Sequence, residues 1–178
     1  MLKKVFLITI MASSVFAQED LSIEIDISKQ RLFFLENSVI TSSYPISSSK
    51  YGEGSKQNSF KTPLGQHVIK KMIGNDAPKN TIFISRINTK RQADIIHKEE
   101  NSDDDYVTTR IMWLDGQEDG INKGKGVDSY NRYIYIHGTH EEGLIGQKAS
   151  HGCIRMFNSD VIELFNKVNK GTKVYIKA

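Results

Sequence analysis

A single cysteine, Cys153, stands in a chain of 178 residues. One thiol cannot close an internal disulfide, so disulfide scaffolds are excluded and a packed core has to hold the fold. Proline is scarce, at three residues, and no Pro-rich linker or internal repeat divides the chain. Net charge is small, formally +3. A broad basic surface for nucleic acid is therefore not indicated. No apolar run reaches the ~20 residues that a transmembrane helix needs. No G-x-x-x-x-G-K-[ST] string is present, which excludes a P-loop despite the recurring glycines after Asp115. The acidic run Asp103-Asp104-Asp105 lacks the glycine and spaced glutamate of a calcium loop, and reads as a solvated segment.

What is present begins with Met1-Leu-Lys-Lys4, an apolar run from Val5 to Phe16, and Ala17. This is the n-region, h-region and small-residue order of a secretory signal peptide, with Val15 and Ala17 placing the cut before Gln18. No lipobox cysteine follows. Cleavage removes Lys3 and Lys4 and no acid, so the charge falls from +3 to +1. The expected product, 18–178, is exported to the periplasm or cell envelope and touches a membrane only through the signal peptide. Its length, about 160 residues, suits one domain. In an oxidising compartment an unpaired thiol is a liability unless it is used or hidden.

The stretch Ile136 to Arg155 gathers the chemistry. It holds Cys153, three of the five histidines (His137, His140, His151) and four glycines. The alternating run Arg132 to His137 predicts a strand ending at His137. Sixteen residues separate His137 from Cys153, too many for a helical contact and suited to a strand, a loop and a return strand. A thiol is mostly protonated at neutral pH with a free pKa of ~8.5, and the thiolate is the attacking species. An imidazole can take the proton or pair with the thiolate, which predicts a thiol that alkylates faster than an ordinary one at neutral pH. The polar neighbours Ser150, His151, Gly152 and Arg155 suit a reactive thiol better than a core one. Cys153 with His137 therefore reads as an acyl-transfer pair.

His137-Gly138-Thr139, followed by Ser150-His151-Gly152-Cys153-Ile154-Arg155-Met156, resembles the signature of the L,D-transpeptidase catalytic domain, also called the YkuD domain. Thr62-Pro63-Leu64-Gly65 is similar to that family's T-P-x-G turn. Ile162 to Phe165 and Gly171-Thr172-x-Val174 fit its ending, so the resemblance covers Leu21 to Ala178. It implies a mainly β fold, a sandwich or barrel of mixed strands with one C-terminal α-helix and long active-site loops. It implies peptidoglycan stem peptides as partners, no cofactor and no metal. Cys153 would attack the carbonyl between a meso-diamino acid and D-alanine, with His137 as general base and then acid. Backbone N–H groups around His151, Gly152 and Cys153 would form the oxyanion hole. Ser150 and Thr139 would orient the loop or the imidazole. Arg155 reads either as a ligand for a substrate carboxylate or as a brace, and Gly138 as part of the substrate-binding surface. His140 has no assigned role and is expected at a solvent-facing loop. An amine acceptor gives a cross-link; water gives an L,D-carboxypeptidase with the same residues. Two other classes remain: a zinc hydrolase using His137, His151 and Cys153 or His140, and a non-catalytic peptidoglycan-binding protein.

Elsewhere the chain predicts plain scaffold. Leu21 to Ile27 alternates strictly, and with Arg31–Glu36 and Val39–Ile46 it predicts a β-meander. The polar segment Ser47–Lys61 is a long loop, with Lys50, Lys56 and Lys61 solvated. Gln66–Met72 alternates poorly and is expected as an edge strand with His67 at its rim. Thr81–Ile87 reads as one short strand, Asn88–Asp105 as a loop, and Tyr106–Leu114 as a strand carrying Trp113 into the core. Asp115–Asn131 is expected as a rim or lid over the cleft. Asn158 is expected to cap a helix to about Asn169 whose stripe is Val161, Ile162, Phe165 and Val168. Lys173–Ile176 then closes the sheet.

Overall fold

The β-branched and apolar alternation of residues 21–47 is spent on three antiparallel strands. In the computed structural model, which describes residues 20–178, these are β1 (Leu21–Asp26), β2 (Arg31–Glu36) and β3 (Val39–Ser47). The predicted signal peptide, 1–17, lies outside the described residues. Then follow β4 (Gly65–Ile73), β5 (Thr81–Ile84), β6 (Ile87–Gln92), β7 (Val107–Gly116), β8 (Tyr135–Thr139), β9 (Ile154–Met156), α1 (Asn158–Lys167) and β10 (Lys173–Lys177). The strand order is β4-β10-β1-β2-β3-β9-β8-β7, and β4 also pairs with β7, so eight strands close a circuit. Two pairs are parallel, β1 with β10 and β8 with β9; the rest are antiparallel. The hairpin β5–β6 hangs from the outer end of β7. The predicted mainly β, mixed-strand fold with one helix near the C-terminus is what the chain adopts.

The core sits inside the circuit. Ile23, Ile25 and Ile27 of the first strand meet Leu32 and Phe34 across the meander, and Ile136, Ile154 and Met156 come in from the strands of the motif. The α1 side chains Val161, Leu164 and Phe165 close it. On β7 the two-residue period splits the load. Met112 and Leu114 face this core, while Ile111 and Trp113 face a smaller second cluster with Phe83 and Tyr135.

Several local expectations change, each for a physical reason. β4 is no edge strand: it pairs with β10 on one side and β7 on the other. A bulge between Ile69 and Lys71 resets its alternation, which hides the pattern in the sequence. His67 is buried rather than at a rim; its ring bonds Ser129 Oγ at 2.9 Å and the Gly65 carbonyl at 3.0 Å. Thr81–Ile87 is broken by a two-residue turn, Ser85-Arg86, so Ile87 begins a second strand that takes Asn88–Gln92 out of the predicted loop. The strand towards His137 starts at Tyr135 because Tyr133 takes a left-handed φ of 59°. It runs on to Thr139, so His137 lies at its centre.

The helix differs in its first residue. Phe157 is the N-cap, and Asn158 turns inward, fully buried. Its Nδ2 donates to the Thr139 carbonyl (2.7 Å) and to Glu142 Oε1 (2.8 Å), and its Oδ1 accepts from the Thr108 and Thr109 hydroxyls. All four side-chain hydrogen-bonding positions of a buried amide are thereby filled. Leu164, not Ile162, completes the buried stripe.

Candidate active site

The parallel register of β8 and β9 builds the site. His137 pairs with Arg155, and Ile136 with Ile154. Since Ile136 and Ile154 face the core, His137, Tyr135, Cys153 and Arg155 are thrown to the opposite face. His137, Ser150, His151, Cys153 and Arg155 line one cavity of about 60 Å³ together with Asp105 and Val107. The imidazole and the thiol, 16 positions apart in sequence, thus open into the same small space.

The loop that carries Cys153 is pinned from three sides. Ser150 Oγ donates to the Cys153 carbonyl (2.6 Å) and accepts from the Gly152 N–H (3.2 Å). Thr62 of the T-P-x-G turn donates to the Gly152 carbonyl at 3.1 Å, and its hydroxyl accepts from the Ser49 N–H. Gly152 holds φ at +121°, a conformation closed to ordinary side chains. The Gly152 N–H, one of the predicted oxyanion donors, is engaged within the loop by Ser150. Cys153 Sγ accepts from the Tyr135 N–H at 3.4 Å and donates to the Tyr133 carbonyl at 3.3 Å.

His137 is buried, and its Nδ1 lies 2.7 Å from the Gly138 carbonyl. A carbonyl only accepts, so Nδ1 carries the proton and Nε2 keeps its lone pair. Burial pushes the imidazole down to about 4, against the opposing pull of Asp105 and of the Gly138 carbonyl. Burial also pushes the Cys153 thiol up to about 12, partly offset by the Tyr135 N–H. The resting pair is therefore a neutral thiol beside a neutral imidazole. Burial thus acts against the sequence-based expectation of a thiol already activated at neutral pH, because it disfavours both charged forms.

Asp105 is the site residue that sequence reasoning passed over as part of a solvated acidic run. Its carboxylate takes His151 Nδ1 at 2.7 Å and Arg155 Nη2 at 2.7 Å. Burial opposes its charge, but Arg155 and His151 outweigh that and hold it below the usual carboxylate range. Its nearness to β7 is the signal that was available: Val107, two residues on, pairs with Thr139 of the strand that carries His137. Glu141 was likewise missed. It is 1% exposed and meets Arg155, itself 1% exposed, at 2.7 Å. Arg155 is thus committed to two carboxylates, which supports bracing over capture of a substrate carboxylate.

The remaining predicted residues are placed elsewhere. Gly138 does not line the cavity: a β-carbon there would lie 2.5 Å from Asn158 Oδ1 and 2.9 Å from the Thr108 carbonyl, so packing, not substrate, requires the glycine. Thr139 is buried and its hydroxyl accepts from the Glu141 N–H (3.1 Å), turning the chain into the next loop. His140 is buried against Ser102 (2.9 Å) and the Tyr106 ring, not solvent-facing. The segment expected as a lid is tied to β4 through Asn122 and Ser129, and its last residue, Asn131, with Arg132, Tyr133 and Ile134 that follow it, forms a wall beside His151. Among the described residues no three His, Cys, Asp or Glu side chains converge as metal ligands would.

The family model of the YkuD L,D-transpeptidase catalytic domain matches residues 20–176. The chain belongs to that family. A Bacillus subtilis protein named as an L,D-transpeptidase, YqjB, is 46% identical over 52 residues, 29% of this chain and 28% of that protein. YbiS of Escherichia coli, also named as an L,D-transpeptidase, is 49% identical over 43 residues, 24% of this chain and 14% of that one. Among solved structures, an L,D-transpeptidase from Mycobacterium smegmatis aligns with a TM-score of 0.54 at 14% identity, covering 90% of this chain and 59% of that one. A mutant L,D-transpeptidase of Enterococcus faecium aligns at 0.53 with 21% identity, over 89% and 50%. At these identities the likeness is one of fold, and this chain spans roughly half of the solved proteins it matches.

Proposed function

We propose that the protein is an exported peptidoglycan L,D-transpeptidase working through a Cys153 thioester. The observation that carries the reading is that His137, delivered by β8, and Cys153, delivered by the loop entering β9, open into one cavity with the His137 Nε2 lone pair unprotonated. In the first step Cys153 Sγ bonds to the carbonyl carbon between a meso-diamino acid and the terminal D-alanine of a tetrapeptide stem. His137 Nε2 takes the thiol proton as the bond forms, which avoids a free thiolate in a desolvated cavity. The nearby Asp105 charge favours the imidazolium that results. The carbonyl oxygen, now an oxyanion, rests against the Cys153 N–H, a donor of the kind worth ~3 kcal/mol in the transition state. Collapse breaks the C–N bond, and the imidazolium proton leaves with the D-alanine amine. In the second step an amine of another stem attacks the thioester, His137 takes its proton, and the thiol is restored.

Incubation with purified tetrapeptide muropeptides and mass analysis tests this. Dimers with loss of D-alanine are expected, and Cys153→Ala and His137→Ala should each abolish them with folding intact. Tripeptide products alone would make the enzyme an L,D-carboxypeptidase, with water as acceptor. Binding without turnover in the parent protein would reject catalysis.

A further inference from the structure

A second cavity, about 420 Å³, adjoins the one at Cys153. The two share Val107. The larger is walled by the side chains of Tyr133 and Tyr135, whose backbones hold the Cys153 sulfur, and by Phe83 and Arg86 of the β5–β6 hairpin. Arg86 is its only charged lining residue. The guanidinium lies 4.8 Å from the Tyr133 ring centre and 5.1 Å from that of Trp113, and Nη1 donates to Tyr135 Oη at 3.3 Å. Among the described residues no carboxylate pairs with it. Aromatic faces fix a guanidinium in place but leave most of its five donors unused. Ile84 and Ile87, on either side of the turn, are exposed.

The backbone adds an independent observation. Ser85 and Arg86 are the two central residues of the hairpin turn, with φ of 48° and 69°. A turn with both central residues left-handed favours Asn-Gly, and an arginine there is strained. Strain kept beside a cavity that shares Val107 with the Cys153 site is better explained by what the side chain binds than by the turn it makes.

We propose that Arg86 is a substrate-specificity residue whose guanidinium, held on Trp113 and Tyr133, binds a carboxylate of the stem peptide in the cavity next to Cys153. This rests on the stem-peptide reading above. Two carboxylates have the required chemistry: the terminal carboxylate of the residue that leaves, and the carboxylate on the side-chain centre of the diamino acid. The first lies three bonds from the scissile carbonyl carbon and the second six. A charge-assisted, two-pronged hydrogen bond of this type is the strong kind, and its loss weakens binding by about ten- to a hundred-fold.

The test measures binding and turnover separately. Calorimetric titration of tetrapeptide stem into Cys153→Ala and into Cys153→Ala with Arg86→Gln should show Kd rising at least ten-fold with the second change. Repeating it with stems amidated at one carboxylate or the other identifies the source: the amide that matters binds both proteins equally weakly. Arg86→Gly guards against misfolding, since glycine suits the turn; it should melt no lower than the parent yet bind as poorly as Arg86→Gln. In turnover with Cys153 intact, Arg86→Gln should raise KM and leave kcat within about three-fold. Equal Kd and KM in the parent and both variants would overturn the proposal even if cross-linking occurs. Arg86-dependent binding without any turnover would leave the proposal standing and reject the transpeptidase reading instead.

Discussion

Cys153 should be a sluggish thiol in the resting protein. Burial raises it to about 12 from an ordinary 9.0, so its thiolate fraction at pH 7 drops about 1000-fold. A more basic thiolate is the better nucleophile, by about 20-fold over that interval for a Brønsted slope of about 0.45. The net expectation is a reaction roughly 50-fold slower than that of an unstructured cysteine. The imidazole does not reverse this. With His137 near 4 and Cys153 near 12, the ion-paired form lies about 8 pH units uphill of the neutral pair. An attraction of about 4 kcal/mol at 4 Å and an effective dielectric of 20 recovers only about 3 of them. The assay is the second-order rate with methyl methanethiosulfonate from pH 5 to 11, followed by intact mass, with a short peptide spanning Ser150 to Arg155 as reference. The rate should climb steadily through neutral pH, stay below the peptide's, and show no plateau under about pH 9. A plateau between pH 5 and 8 at a rate above the peptide's would mean that the pair rests as thiolate and imidazolium, and the desolvation argument would be wrong.

Acid should destabilise the fold through its buried histidines. His67, like His137, is held near 4 by burial, below the unfolded value of 6.5. Between those values the unfolded chain binds protons that the folded one refuses, so stability is full above pH 6.5 and falls towards pH 4. Each histidine should cost about 2 kcal/mol at pH 5 relative to pH 7, read as a shift in urea midpoint; equal midpoints at the two pH values would contradict the burial of both rings. Glu141→Gln should destabilise by about 3 kcal/mol, because it leaves Arg155 buried with Asp105 alone. A change under 1 kcal/mol in chemical denaturation would show that the Arg155–Glu141 pair is not desolvated.

What could be read without coordinates was whatever is local. Strict alternation in Leu21–Ile27 and the β-branched run ending at Leu114 both became strands, since a two-residue period reports one buried face directly. The family followed from His137-Gly138-Thr139 and Ser150 to Arg155 because those strings are contiguous. The bulge in β4 defeated the same kind of reading, since one extra residue moves every later side chain to the other face. Asn158 looked like a cap by residue type and proved to be the buried knot joining β7, β8 and α1.

The sequence by itself determined the strand-rich scaffold, the thiol and the imidazole that the family places together. The tertiary structure alone decided their surroundings. It brought Asp105 back from an acidic stretch onto His151 and Arg155, paired Arg155 with Glu141, and buried the His137 ring. Residue order carries periodicity and turn chemistry, which act over a few positions. Desolvation and charge pairing depend on how close distant segments come, and that distance exists only after folding.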